Sequence, residues 1–319
     1  MKLITIVASV YNEEQGIRQF YTVVKKTLEE FISNSDRKFR YEIFFVNDGS
    51  TDKSREILED IWSNDKEHVS LLNFSKNFGH EAAMTAGLDY AKGEYLIFMD
   101  ADLQHPPACI ADIMKAFDEG YEIISMVRTK NESAGMLKNI TSAGFYKVIN
   151  SLSQMHLEPA ASDFFAISKK PAEVLKKNFR ERVRFLRGYV QNIGFKRTNI
   201  EYEAAARAAG QSHYSLKKLW KFSMETIICF SNVPLKLGIY AGLMSALAGV
   251  ILIVYTLLTK SGAPSGYATI VIALCFMFAV QFIIIGVIGE YIAVIFSELK
   301  DRPIYIVEDF KNINAENDD

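Results

Sequence analysis

The chain has 319 residues, with 36 lysines and arginines against 38 acidic residues (formal net charge -2) and 3 cysteines. This length accommodates one large catalytic domain plus a smaller element, or two ordinary domains, and the near-neutral balance argues against a dedicated nucleic-acid binder, which would be strongly basic. An odd cysteine count without CxxC spacing excludes a disulfide scaffold and a thiolate zinc site, and 49% apolar residues exclude disorder except at the ends.

From the N-terminus, five short β-rich runs follow one another: LITIVASV, YEIFFV, VSLLNF, EYLIFM and YEIISMV. The helix-like segments Glu13–Ile32, Asp52–Trp62, Glu81–Ala91 and Pro107–Glu119 alternate with them. This alternation predicts an α/β fold with a mainly parallel sheet covered by helices on both faces. Ligands of such sheets sit at the carboxyl ends of the strands. The residues there are Tyr11-Asn12-Glu13-Glu14, Asn47 to Asp52 (NDGSTD), Lys76 to His80 (KNFGH) and Asp100 to Pro107 (DADLQHPP).

NDGSTD alone reads equally well as a turn followed by a helix cap. Asp-x-Asp is more specific. Two carboxylates at a strand end can share a hard cation, and Mg²⁺ or Mn²⁺ commonly bridges such oxygens to substrate phosphates. GxGxxG after the first strand, GxxxxGK[ST], HExxH and GxSxG are all missing from the sequence, which argues against dinucleotide oxidoreductases, P-loop enzymes, zincins and α/β-hydrolases.

Further along, Lys169, Lys170, Lys176, Lys177, Arg180, Arg182, Arg184 and Arg187 face only Glu173 and Glu181. The stretch reads either as a solvated charged face or as a surface attracting anionic headgroups. Residues 216–233, with Trp220, Phe222 and Phe230 among Lys217, Lys218 and Lys221, suggest an interfacial amphipathic helix. Two uncharged runs follow, Leu237 to Leu258 and Ala268 to Gly289, of 22 residues each. At 1.5 Å per residue each reaches about 33 Å, enough to cross a bilayer core. A soluble helix rarely stays uncharged on every face for so many turns. Residues 234–298 therefore read as a transmembrane hairpin. Its flanking lysines and arginines put both ends, the domain 1–215 and a tail 299–319 in the cytoplasm. The apolar start Leu3–Val10 is too short for a signal peptide.

VYNEE, VNDGSTD, SKNFGHEAAMTAGLDYAKGEYLIFMDADLQHPP and GEYIAVIFSELKDRPIYIV, in that order, resemble glycosyltransferase family 2. The resemblance is to its polyprenyl-phosphate branch, which includes dolichyl-phosphate mannose synthases and bactoprenol glucosyltransferases, and it runs from Leu3 to Val307. It implies a GT-A-like fold with a C-terminal two-helix transmembrane hairpin. It also implies inverting transfer of one sugar from a nucleotide-sugar (a UDP-sugar) to undecaprenyl phosphate, supplying cell-envelope glycans. By the same resemblance, Tyr11, Glu13 and Asp48 hold the nucleoside, with Lys76 near the base. Asp100, Asp102 and Gln104 face a Mg²⁺ or Mn²⁺ and the diphosphate, so Asp100 serves donor and metal alike. Arg128 meets donor or acceptor phosphate, and Arg207 approaches the diphosphate in an R-x-x-G-x-S-x-Y segment with Ser212 and Tyr214 on the acceptor side.

Asp163 matches the residue usually assigned as catalytic base, although a turn or N-cap aspartate would look the same. The acceptor phosphate, with a second pKa near 6, is largely anionic at pH 7 and hardly needs a base. Four features depart from the family pattern: Ser9 in place of proline, Gln191-Asn192 in place of tryptophan, His213 in place of lysine, and Lys130-Asn131 in place of an arginine. The alternatives are a processive polysaccharide synthase subunit, which would carry QxxRW around a tryptophan, and a non-catalytic scaffold. Neither Trp62 nor Trp220 sits in QxxRW. Nucleic acid is not an expected partner, while a homo-oligomer is, with Gly242, Ser245 and Gly249 as a packing surface.

Overall fold

A computed structural model describes residues 1–129, 158, 161–182, 184–204, 233–258 and 266–313. The five predicted strands are present as β1 (Lys2–Val10), β2 (Phe39–Asn47), β3 (Val69–Phe74), β4 (Tyr95–Asp100) and β5 (Ile123–Arg128). Between them run α1 (Ile17–Ser33), α2 (Ser54–Asn64), α3 (His80–Tyr90) and α4 (Ile110–Asp118). Further on come β6 (Ala161–Ser168), α5 (Lys169–Asn178), α6 (Leu186–Asn192), β7 (Arg197–Tyr202), α7 (Val233–Leu258), α8 (Gly266–Leu299) and β8 (Val307–Lys311).

The strands form one sheet in the order β7-β5-β6-β4-β1-β2-β3-β8. The centre, β4-β1-β2-β3, is parallel, while β6 and β8 run antiparallel to their neighbours. Side chains alternate between faces along each strand. Ile4, Ile6, Ala8 and Val10 belong to the core that buries Phe20, Val24 and Leu28 of α1. Val7, Phe44, Leu72, Phe98 and Phe165, of opposite parity or facing, are equally buried on the other side. There α3 lies directly on β1: a Cβ at Gly87 would sit 2.2 Å from Val7 Cγ1.

Within the expected tail, Val307–Lys311 closes the sheet against β3. Tyr305 stacks on Phe74 with ring centroids 5.1 Å apart, and its hydroxyl donates to Asp89 at 2.7 Å. Arg55 on α2 reaches Glu308 at 3.0 Å and Asp309 at 3.2 Å. The α/β domain is therefore discontinuous in sequence, with the helix pair inserted between two of its strands.

The helices α7 and α8 form a second compact unit. With 26 and 34 residues they extend about 39 and 51 Å. Both are long and apolar enough to cross a membrane. Large apolar side chains such as Leu237, Met244, Phe282 and Ile283 lie exposed along them. Water does not tolerate so much contiguous apolar surface, whereas lipid does. α8 continues ten residues beyond the predicted span, through Glu290 to Leu299. The expected interfacial helix, and Lys130, Asn131, Arg207, Ser212, His213 and Tyr214, lie outside the described residues.

Candidate active site

The carboxyl ends of β1 and β2 are stitched to each other. Asn12, at φ +56°, donates its N–H to Ser50 Oγ at 3.1 Å and accepts the Thr51 N–H on Oδ1 at 2.8 Å. Glu13 N–H donates to Ser54 Oγ at 2.9 Å and Glu14 N–H to Asp52 at 3.2 Å. NDGSTD thus carries much of the local structure, and Tyr11 stands at the rim, 45% exposed.

Asp48 is buried and holds the loop after β3. Its carboxylate accepts the Phe78 N–H at 2.7 Å, the Gly79 N–H at 2.9 Å and Asn77 Nδ2 at 3.0 Å. Burial raises its pKa, and the two backbone N–H groups counter only part of that. The loops press so closely that a Cβ at Gly49 (φ +62°) would lie 2.3 Å from the Lys76 carbonyl carbon. Lys76 is exposed, with Nζ 5.1 Å over the Phe78 ring. Tyr11, Glu13, Asp48 and Lys76 thus belong to one edge of the sheet.

β4 ends in Asp100, followed by a strained turn in which Leu103 adopts φ +61°. Asp102 is nearly buried, and its Oδ1 accepts the Gln104 N–H at 3.0 Å. Asp100 N–H donates to His105 Nδ1 at 3.0 Å. His105 is itself buried and stacked on Phe164 at 5.0 Å.

β6 brings Asp163 to the same edge, inside a strand, so neither the N-cap nor the turn reading applies. Arg187 Nη1 lies 3.3 Å from Asp163 Oδ1 and His80 Nε2 lies 3.7 Å from Oδ2. Burial works against the Asp163 anion, but Arg187, His80 and His105 outweigh it and hold its pKa below the usual carboxylate range. Burial likewise works against an imidazolium at His80, yet Asp100, Asp163, Glu81 and Asp48 keep its pKa above the ordinary value. Glu81 accepts the Leu186 N–H at 2.9 Å, and burial followed by the Asp163 charge pushes its pKa up to about 7.

Arg128 is exposed at the end of β5, one strand beyond β6. The basic stretch resolves into internal partners more than a free face. Arg180 pairs with Asp89 at 2.8 Å, and Lys176 Nζ donates to the Ala91 carbonyl at 2.9 Å. Arg184 is buried, donating to the carbonyls of Phe179 and Glu181, while Arg187 is spent on Asp163. His80, Glu81, His105 and Arg187 are site residues that received no individual role from sequence, although His80 and His105 lie in the loops singled out at the strand ends. His80 and Glu81 had a signal, since they begin the helix right after the third strand.

Among the described residues, no three histidine, cysteine or acidic side chains converge as a ready-made metal cage. Mg²⁺ and Mn²⁺ shared with substrate phosphates need only one or two protein carboxylates. Asp100 fits that demand: its side chain is 36% exposed, and each oxygen faces an imidazole nitrogen at 3.8 Å, beyond hydrogen-bond reach. The donor set Asp100, Asp102 and Gln104 is all oxygen, the chemistry a hard cation takes.

The family described as glycosyl transferase family 2 matches residues 5–175, and the GtrB C-terminal hairpin matches residues 233–295. An uncharacterized glycosyltransferase of Bacillus subtilis, YkcC, is 38% identical over 98% of this chain and 95% of its own. A prophage-derived bactoprenol glucosyl transferase of Shigella flexneri is 36% identical over 96% of this chain and 97% of its own. A prophage bactoprenol glucosyl transferase homolog of Escherichia coli is 35% identical over 97% and 99%.

Proposed function

The chain belongs to glycosyltransferase family 2, and we propose that it moves one sugar from a UDP-sugar to undecaprenyl phosphate with inversion at the anomeric carbon. The observation that carries this reading is the meeting of Asp100 and Asp102 with Asp163 on one sheet edge, in a chain that also holds an apolar helix pair. Tyr11, Glu13 and Lys76 would hold the nucleoside, with Asp48 acting through the loop it ties down. Arg128 would meet a phosphate, together with Arg207, Ser212 and Tyr214 by family resemblance.

A Mg²⁺ or Mn²⁺ held by Asp100, Asp102 and Gln104 would offset the negative charge that gathers on the departing nucleoside diphosphate. The attacking oxygen belongs to a phosphate already largely dianionic at pH 7. A carboxylate flanked by Arg187 and His80 is a weak proton acceptor, so Asp163 orients the acceptor or balances charge developing on the sugar.

Sheet topology supports a hairpin with both ends on one side of the membrane. β7 precedes the helix pair and β8 follows it in the same sheet, so both ends of the pair belong on one side of the bilayer. Lys236 before the pair and Lys300 and Arg302 after it favour the cytoplasmic side. Among the described residues, no atom lies within 4 Å of a Cβ position at Gly242 or Gly249, leaving α7 a small-residue face on which a second copy could pack. A screen of nucleotide sugars against undecaprenyl phosphate in detergent, with Mg²⁺ or Mn²⁺, tests the reading.

A further inference from the structure

Ser9, Asp100 and Asp163 form a row across three neighbouring strands. Ser9 on β1 pairs with Asp100 on β4. The β4–β6 ladder ends with Phe98 against Phe165, and beyond that pair Asp100 on β4 and Asp163 on β6 approach the same imidazole nitrogen. Carboxylates brought this close repel. These two are only 36% and 30% exposed, so water screens them incompletely.

The His80 ring lies along that row. Nδ1 is 2.9 Å from Ser9 Oγ. Nε2 is 3.8 Å from Asp100 Oδ1 and 3.7 Å from Asp163 Oδ2. It is shielded from solvent and has no hydrogen-bond partner among the described residues. A nitrogen nearly equidistant from two acids, and bonded to neither, is placed by the other end of its ring. The backbone is fixed as well: His80 opens α3 directly after Gly79, at φ +99°, whose N–H is captured by Asp48.

We propose that His80, oriented by Ser9, is a positioning residue that keeps the donor-side carboxylate Asp100 and the acceptor-side carboxylate Asp163 at the separation that sugar transfer requires. The inference rests on the transferase reading above.

The full chain in detergent tests this as wild type, S9A, H80Q, D163N and the H80Q/D163N pair. UDP-glucose and undecaprenyl phosphate serve as probes, beside titration with UDP and Mn²⁺ and thermal melting. H80Q should lower kcat about 100-fold and S9A about tenfold, the scale expected of a misplacement near 1 Å. The donor KM and the Kd for UDP with Mn²⁺ should stay unchanged. The pair should be no slower than D163N alone, because the spacing has already lost one member. Losses that multiply in the pair, or a loss at H80Q that appears wholly as weaker UDP and Mn²⁺ binding, would overturn the proposal. Melting separates it from the transferase reading. H80Q should lower Tm with Asp163 present and much less in the D163N background, whether or not sugar moves. A wild type that shows this coupling yet transfers nothing contradicts the transferase reading and supports the placement of His80. Equal Tm losses in both backgrounds overturn the placement.

Discussion

Arg187 Nη1 sits 3.3 Å from Asp163 Oδ1, joining the short helix α6 to strand β6. With His80 on the other oxygen, Asp163 stays ionised well below neutral pH. Its charge is then constant from pH 5.5 to 8.5. Asp163→Asn should lose a similar factor of kcat, about 100-fold, at every pH in that range. A deficit that shrinks steadily above pH 6 to 7, where the acceptor phosphate ionises by itself, would mark Asp163 as a base instead.

Glu81 titrates in the opposite sense. Its folded pKa is raised to about 7 from the ordinary 4.5, so the folded chain binds the extra proton between those values. Its contribution to stability is complete below about pH 4.5 and is lost as pH rises through about 7. Glu81→Gln keeps an oxygen for the Leu186 N–H and removes the charge. The variant should gain in Tm relative to wild type as pH increases from 5.5 to 8.5. A difference independent of pH would contradict the assigned environment.

The sheet was legible in sequence where period and composition agreed. LITIVASV and YEIFFV became central parallel strands because fully buried strands read as continuous apolar runs. ASDFFAIS stood out only as a motif, since its polar start hid β6. VEDFK has too few apolar residues to announce β8, which owes its place to Arg55, Phe44 and Asn73 on distant elements. The Asp-x-Asp motif was readable because it is local. The contacts of His80 and Arg187 were not, because they join residues 71 and 24 positions apart, to Ser9 and Asp163 respectively.

β8 makes a stability prediction. Truncation after Arg302 leaves Asp89 without Tyr305, Asn73 without Asp309 and β3 as an open edge. Tyr305→Phe keeps the stack on Phe74 and loses one hydrogen bond, costing about 1 kcal/mol. The truncation should cost several times that, read by denaturant melting of the full chain and the shortened one in the same detergent. Equal midpoints would show that the returning strand adds nothing.

The helix pair makes a topological prediction. A reporter fused after Asp319 should behave as cytoplasmic and one inserted at Gly262 as external, because β7 and β8 share a sheet. Termini of opposite location would contradict either the pairing of β8 or the two crossings.

The central claim is tested most directly by the mass of the lipid product. The full chain in detergent, with Mg²⁺ or Mn²⁺, is offered UDP-glucose and other nucleotide sugars together with undecaprenyl phosphate. Undecaprenyl phosphate should gain one sugar with release of the nucleoside diphosphate, and no product should form with Asp102→Asn or after EDTA treatment. Lipid left unchanged by every nucleotide sugar, a ladder of several sugars, or near-normal product from Asp102→Asn in EDTA would contradict the claim.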